Sequence, residues 1–168
     1  TLTRSSAASD VYKRQVSLGA DLVVTPELSI TGYPPRDLLF KSKFIDDNLS
    51  VIENLSQSIG NIPIIVGCVE YNTQDSGNPF QNTALVIQNN QIIGRATKSL
   101  LPSYDVFDEA RYFQPSKGVQ VQSIAGKKFG ITICEDIWSE DFLPSKLYVK
   151  DPAGCLLYTS DAADDRVS

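Results

Sequence analysis

Apolar and polar positions along the chain fall into short apolar runs separated by turn-forming residues, with one longer helical stripe. Asp21 to Thr25 predicts a short strand, centred on Leu22 to Thr25, that Pro26 stops. A turn at Gly32-Tyr33-Pro34-Pro35 leads to a short helix near Arg36 to Lys41. From about Lys43 to Ser58, Phe44, Leu49, Ile52, Leu55 and Ile59 recur at roughly helical spacing, so this segment reads as an amphipathic helix that Gly60 and Asn61 end. Ile62 to Tyr71 reads as a buried strand, followed by an exposed loop rich in Asn, Asp and Gly. Ala84 to Gln88 and Gln91 to Thr97 flank Asn89-Asn90, a pair able to take positive φ in a hairpin turn. Val119 to Ile124 and Lys128 to Cys134 form a second such pair around Ala125-Gly126. This mixture supports an α/β or α+β class and does not by itself choose between them.

Composition narrows the partners. The net charge is −5 with no basic cluster, which argues against nucleic acid and for a small-molecule ligand. No segment has the length and apolarity of a membrane span, and no signal-peptide pattern is present. Of the three cysteines, Cys155 belongs to the C-terminal end set aside below, and Cys68 and Cys134 are too few and too isolated for a disulfide framework or metal cluster, which fits a reducing cytoplasm. The chain contains no histidine, so zinc lacks a plausible ligand set and no metal site is expected.

The same absence restricts the chemistry. Lys128 to Trp138, KFGITICEDIW, reads as a buried strand stopping at Cys134, the way a sheet presents a nucleophile at its carboxyl edge. Cysteine and serine enzymes of the papain, caspase and triad types need a histidine base, so a catalytic Cys134 would lose its proton to a carboxylate or a lysine. Two other strands end in such groups: Glu27 follows Pro26, and Lys98 follows the strand ending at Thr97. Taken singly, each has a plainer reading: a solvated loop glutamate, an edge-blunting lysine, a small buried thiol.

Together, Glu27, Lys98 and Cys134 resemble the Glu, Lys, Cys triad of the nitrilase superfamily of carbon–nitrogen hydrolases. With PELSITGYPPRDLL, LPSYDVFDEARYF and CEDIW, the stretch from about Val16 to Trp138 is similar to the glutaminase domain of glutamine-dependent NAD synthetases. The resemblance implies a partial αββα sandwich and glutamine as substrate. It implies that Glu27 is the base, Cys134 the nucleophile and Lys98 the electrostatic stabiliser, with the backbone N–H of Glu135 facing the oxyanion. Tyr33, Tyr104 and Glu135 would contact the substrate, and Phe107 and Trp138 would form pocket walls. It also implies a synthetase domain in cis using ATP and deamido-NAD, a homo-oligomeric whole protein, and no cofactor in this segment. A stand-alone nitrilase-type amidase acting on another small amide, and an inactive truncated fragment, are the alternative readings.

The two ends read differently. Ser5 to Gln15 shows no apolar period and has the composition of a disordered tail. It also resembles the translation of a transposase adapter used in preparing sequencing libraries, and Cys155 to Asp165 matches the opposite strand of that oligonucleotide in a shifted frame. Residues 1–15 and 155–168 are therefore expected to be non-native, with 16–154 a piece of one hydrolase domain. On that reading Val16 to Gly19 is the end of a first helix whose body is missing.

Overall fold

The computed structural model describes residues 4–116 and 121–138. Helix α1 covers Arg4–Ser17 and α2 Ser42–Ser56. The strands are β1 Val23–Val24, β2 Ile64–Tyr71, β3 Phe80–Gln88, β4 Gln91–Thr97, β5 Val121–Ile124 and β6 Lys127–Gly130. Single 3-10 turns lie at Arg36–Phe40, Glu109–Arg111 and Cys134–Ile137. Strands β1 to β4 form one sheet in chain order, with β1 parallel to β2 and the other pairs antiparallel, and β5 and β6 form a separate hairpin.

The sheet separates two layers. Ile64, Val66 and Cys68 of β2 and Leu85 and Ile87 of β3 face the helices, where they pack with Ile52, Leu55 and Tyr12. On the opposite face Ile65, Ala84 and Val86 meet Ile124 and Ile133 from the hairpin side. This period-two division is the expected result of alternating side chains on a sheet covered on both faces. The layers run helices, sheet, hairpin, and thus make up three layers of an αββα sandwich.

Helix α2 buries Ile45, Ile52 and Leu55, together with one amide. Asn48 donates from Nδ2 to the Val69 carbonyl at 2.7 Å, so its polarity is satisfied inside the core. Both hairpin turns use left-handed residues as expected: Asn89 and Asn90 have φ of 51° and 61°, and Ala125 and Gly126 have 50° and 76°.

Three expectations are corrected. Ser5 to Gln15 is helical rather than a tail without pattern, because Ala8, Tyr12 and Val16 stand at i, i+4 and i+8 and pack together on the core. The Tyr12 hydroxyl donates to the Ile62 carbonyl at 2.7 Å and accepts from the Gly60 N–H at 3.2 Å. Helix α1 runs on from this segment without a break to Ser17. Strand β3 begins at Phe80 and not Ala84, since buried Asn82 and Thr83 interrupt the apolar pattern without interrupting the ladder. Strand β6 ends at Gly130, four residues before Cys134, and is not buried. Val119 and residues from Ser139 onward, including 155–168, lie outside the described residues.

Candidate active site

Glu27 reaches the site because β2 passes directly beneath it. A Cβ on Gly67 would lie 2.6 Å from both the Leu28 nitrogen and the Pro26 oxygen, so only glycine permits this approach. The turn is pinned there by the Ser29 hydroxyl donating to the Gly67 carbonyl at 3.1 Å and the Gly67 N–H donating to Thr25 Oγ1 at 3.2 Å. Lys98 arrives from the end of β4, its backbone N–H donating to the Asn82 carbonyl at 2.9 Å.

The Lys98 side chain is 0% exposed, and its Nζ is 2.7 Å from Glu27 Oε1 and 2.9 Å from Glu109 Oε2. Burial by itself would lower the proton affinity of this ammonium. The negative fields of Glu109 and Glu27 outweigh it, so the affinity is raised and the group stays charged. Burial raises the proton affinity of Glu109, against the pull of Lys98. Tyr33 Oη donates to Glu109 Oε1 at 2.8 Å, and Asn82 Nδ2 donates to Glu27 Oε1 at 2.6 Å.

Cys134 opens the third 3-10 turn with a φ of 53°, a left-handed conformation unusual for a residue with a side chain. The backbone around it is held by Asp136, whose buried carboxylate accepts from the Ser99 N–H at 3.0 Å, the Leu100 N–H at 2.8 Å and the Ile133 N–H at 3.3 Å. Asp136 thus ties the Cys134 turn to the segment following Lys98. Partial burial pushes the Cys134 thiol above its ordinary range; Lys98 opposes that, Glu27 and Glu109 reinforce it, and the Glu135 N–H favours the thiolate. The carboxylates, the ammonium and the sulfur therefore sense one another's charge.

Two clefts flank this group. Glu27, Asn82 and Cys134 line one of about 330 Å³, with apolar walls that include Ile65, Phe129 and Ile131. Tyr33, Phe107 and Glu109 line another of about 440 Å³. The chain Glu27–Lys98–Glu109 connects them. The expected single pocket is thus divided, and Tyr104, Glu135 and Trp138 line neither cleft. Tyr104 packs edge-on against Phe107 and donates to buried Glu135, which pushes the tyrosine hydroxyl up to about 12. Trp138 is 36% exposed just beyond the turn. Cys68 is buried in the core, where burial raises its thiol and keeps it unreactive.

Sequence reasoning missed Glu109, Asn82 and Asp136. Glu109 sits in the VFDEARYF run, where the flanking Tyr112 and Phe113, both buried, were the available signal. Asn82 was signalled only by its place, beside Thr83, between Phe80 and the apolar run Ala84 to Ile87.

This arrangement, a carboxylate pair bridged by a buried lysine beside a cysteine on a tight turn after a hairpin strand, has the fold of nitrilase-type amidases. An amidase from Nesterenkonia sp. AN1 shares it at a TM-score of 0.64 and 20% identity, with 80% of this chain and 50% of that one covered. The carbon-nitrogen hydrolase family model matches residues 2–149, and the chain belongs to that family.

More similar still is the glutamine-dependent NAD(+) synthetase of Thermotoga maritima, 39% identical over 123 residues that make up 72% of this chain and 20% of that protein. The solved glutamine-dependent NAD+ synthetase of Acinetobacter baumannii aligns at a TM-score of 0.74 with 36% identity, covering 82% of this chain and 26% of that one. The chain therefore spans about a fifth to a quarter of the length of these relatives.

Proposed function

We propose that this domain hydrolyses the side-chain amide of glutamine through a thioester on Cys134. The observation that carries the reading is Glu27 held 2.7 Å from the buried Lys98 ammonium, in the cleft that Cys134 also lines. Identity of 36–39% to glutamine-dependent NAD synthetases supports glutamine over other amides.

Glu27 takes the thiol proton as the sulfur attacks the amide carbon, and returns it to the departing ammonia; water then releases glutamate. A thiol pushed up by burial is mostly protonated at neutral pH, so attack needs this neighbouring base. Lys98 and the Glu135 N–H stabilise the negative charge that develops, each such donor lowering the barrier by roughly 3 kcal/mol. The substrate contacts assigned to Tyr33, Tyr104, Phe107, Glu135 and Trp138 belong to this reading, with Tyr33 and Phe107 supported by their place in the larger cleft.

In the whole protein, ammonia passes to a synthetase domain in cis that amidates deamido-NAD with ATP, in a homo-oligomer of the cytoplasm. Among the described residues no helix is long and apolar enough to cross a membrane. In the protein with its native continuation, Cys134→Ala abolishes glutamine-dependent NAD formation and leaves ammonia-dependent formation intact. Equal loss of both activities contradicts the assignment. Activity confined to another small amide would favour the stand-alone amidase.

A further inference from the structure

We propose that Asn82 is a positioning residue for the Glu27 carboxylate, holding its Oε1 so that Oε2 remains the oxygen that takes the Cys134 proton. The inference rests on the reading of Glu27 as the base.

Among the described residues both donors to this carboxylate converge on one oxygen: Lys98 Nζ at 2.7 Å and Asn82 Nδ2 at 2.6 Å. One donor would leave the carboxylate free to swing about it. A second donor from another strand fixes its plane, and with Oε1 occupied twice, the lone pairs available to a new proton are those of Oε2.

Asn82 is itself well anchored. It is 1% exposed, its carbonyl accepts from the Lys98 N–H at 2.9 Å, and it stands opposite Val69 in the β2–β3 ladder. A displacement of Asn82 would therefore move Glu27 and Lys98 together. Its position also argues against a packing role. It shares a strand face with Ala84 and Val86, which lie in an apolar cluster with Ile124 and Ile133. Among the described residues Asn82 Oδ1 is buried without a partner. A buried acceptor left unpaired is destabilising, so an apolar side chain of the same size would suit the core better. Among the described residues the hydrogen bond that its side chain makes is the one to Glu27.

The test uses the whole protein with its native flanking sequence. Asn82→Leu keeps the volume and removes the donor, and Asn82→Asp keeps the shape and replaces the donor with a carboxylate. Expected for Asn82→Leu is a fall in kcat for glutamine hydrolysis of about ten- to a hundredfold with KM little changed, because the reacting groups are misaligned rather than the substrate lost. In Asn82→Asp a further carboxylate faces Glu27, which already senses Lys98, Glu109, Cys134 and Tyr33. The acid limb of its pH–rate profile therefore moves to higher pH, since neighbouring carboxylates resist ionising together.

A second readout needs no substrate: the rate of iodoacetamide alkylation at Cys134 against pH, located by peptide mass spectrometry. Both variants slow it at neutral pH. If the parent protein does not hydrolyse glutamine, the proposed function fails while this alkylation series still tests Asn82. Wild-type kcat with unchanged pH and alkylation profiles in a folded Asn82→Leu would overturn the proposal. Should that variant not fold, unmoved profiles in Asn82→Asp overturn it equally.

Discussion

Lys98 is the residue on which the charges of the site depend. It is fully buried, yet keeps its proton because Glu27 and Glu109 surround it. A buried ion pair contributes little relative to an apolar replacement of the whole group, but removing one partner strands the others. Lys98→Met therefore leaves two carboxylates facing one another without a cation. The expected loss is about 3–5 kcal/mol at neutral pH, read by urea unfolding.

The sign of the pH dependence follows from the same contacts. Burial already raises the proton affinity of Glu109, so without Lys98 the pair gains a shared proton as the pH falls. The penalty of Lys98→Met is then largest above the carboxylate range and shrinks in mildly acidic buffer. The variant also loses the field that opposes the upward push on Cys134, so alkylation of that thiol moves to still higher pH. A profile that stays in place or moves down would contradict the assigned role.

At the scale of elements, two backbone devices bring the reacting groups together. One is the close passage of β2 under the Glu27 turn at Gly67. Gly67→Ala forces that turn outward by the width of a methyl group, with an expected cost of about 1–3 kcal/mol and at least tenfold in kcat. The other is the Asp136 clamp between the Cys134 turn and the segment after Lys98. Asp136→Ala leaves the Ser99 and Leu100 N–H groups without their acceptor and frees the Cys134 turn. Hydrogen exchange at these two amides should rise together with the loss of activity; protection unchanged from the parent would remove the clamp from the explanation.

For the molecule as a whole, the described core holds more buried residues on the helix side of the sheet than on the hairpin side. Val24 is 63% exposed and Ile93 44%, and β6 is largely uncovered. Exposed apolar surface and open strands promote association. The isolated polypeptide is therefore expected to aggregate or show little glutaminase activity; a monomeric, fully active preparation by size-exclusion chromatography would refute this.

By itself the sequence determined the elements whose patterns are local: the stripe of α2, the hairpin turns at Asn89-Asn90 and Ala125-Gly126 with their left-handed residues, and the strands that end just before Glu27 and Lys98, whereas the strand expected to end at Cys134 is a shorter one followed by a 3-10 turn. These depend on side-chain period and turn chemistry, which neighbouring residues specify. Only the tertiary structure decided that Glu109 and Asn82 join the site, that Gly67 admits the Glu27 turn, and that Asp136 ties Cys134 to the Lys98 segment. Each joins residues that lie far apart in the chain, and a polar side chain in a strand or loop has the same local appearance whether it meets water or a buried charge. That difference arises only when packing removes the water and leaves one partner within hydrogen-bond distance.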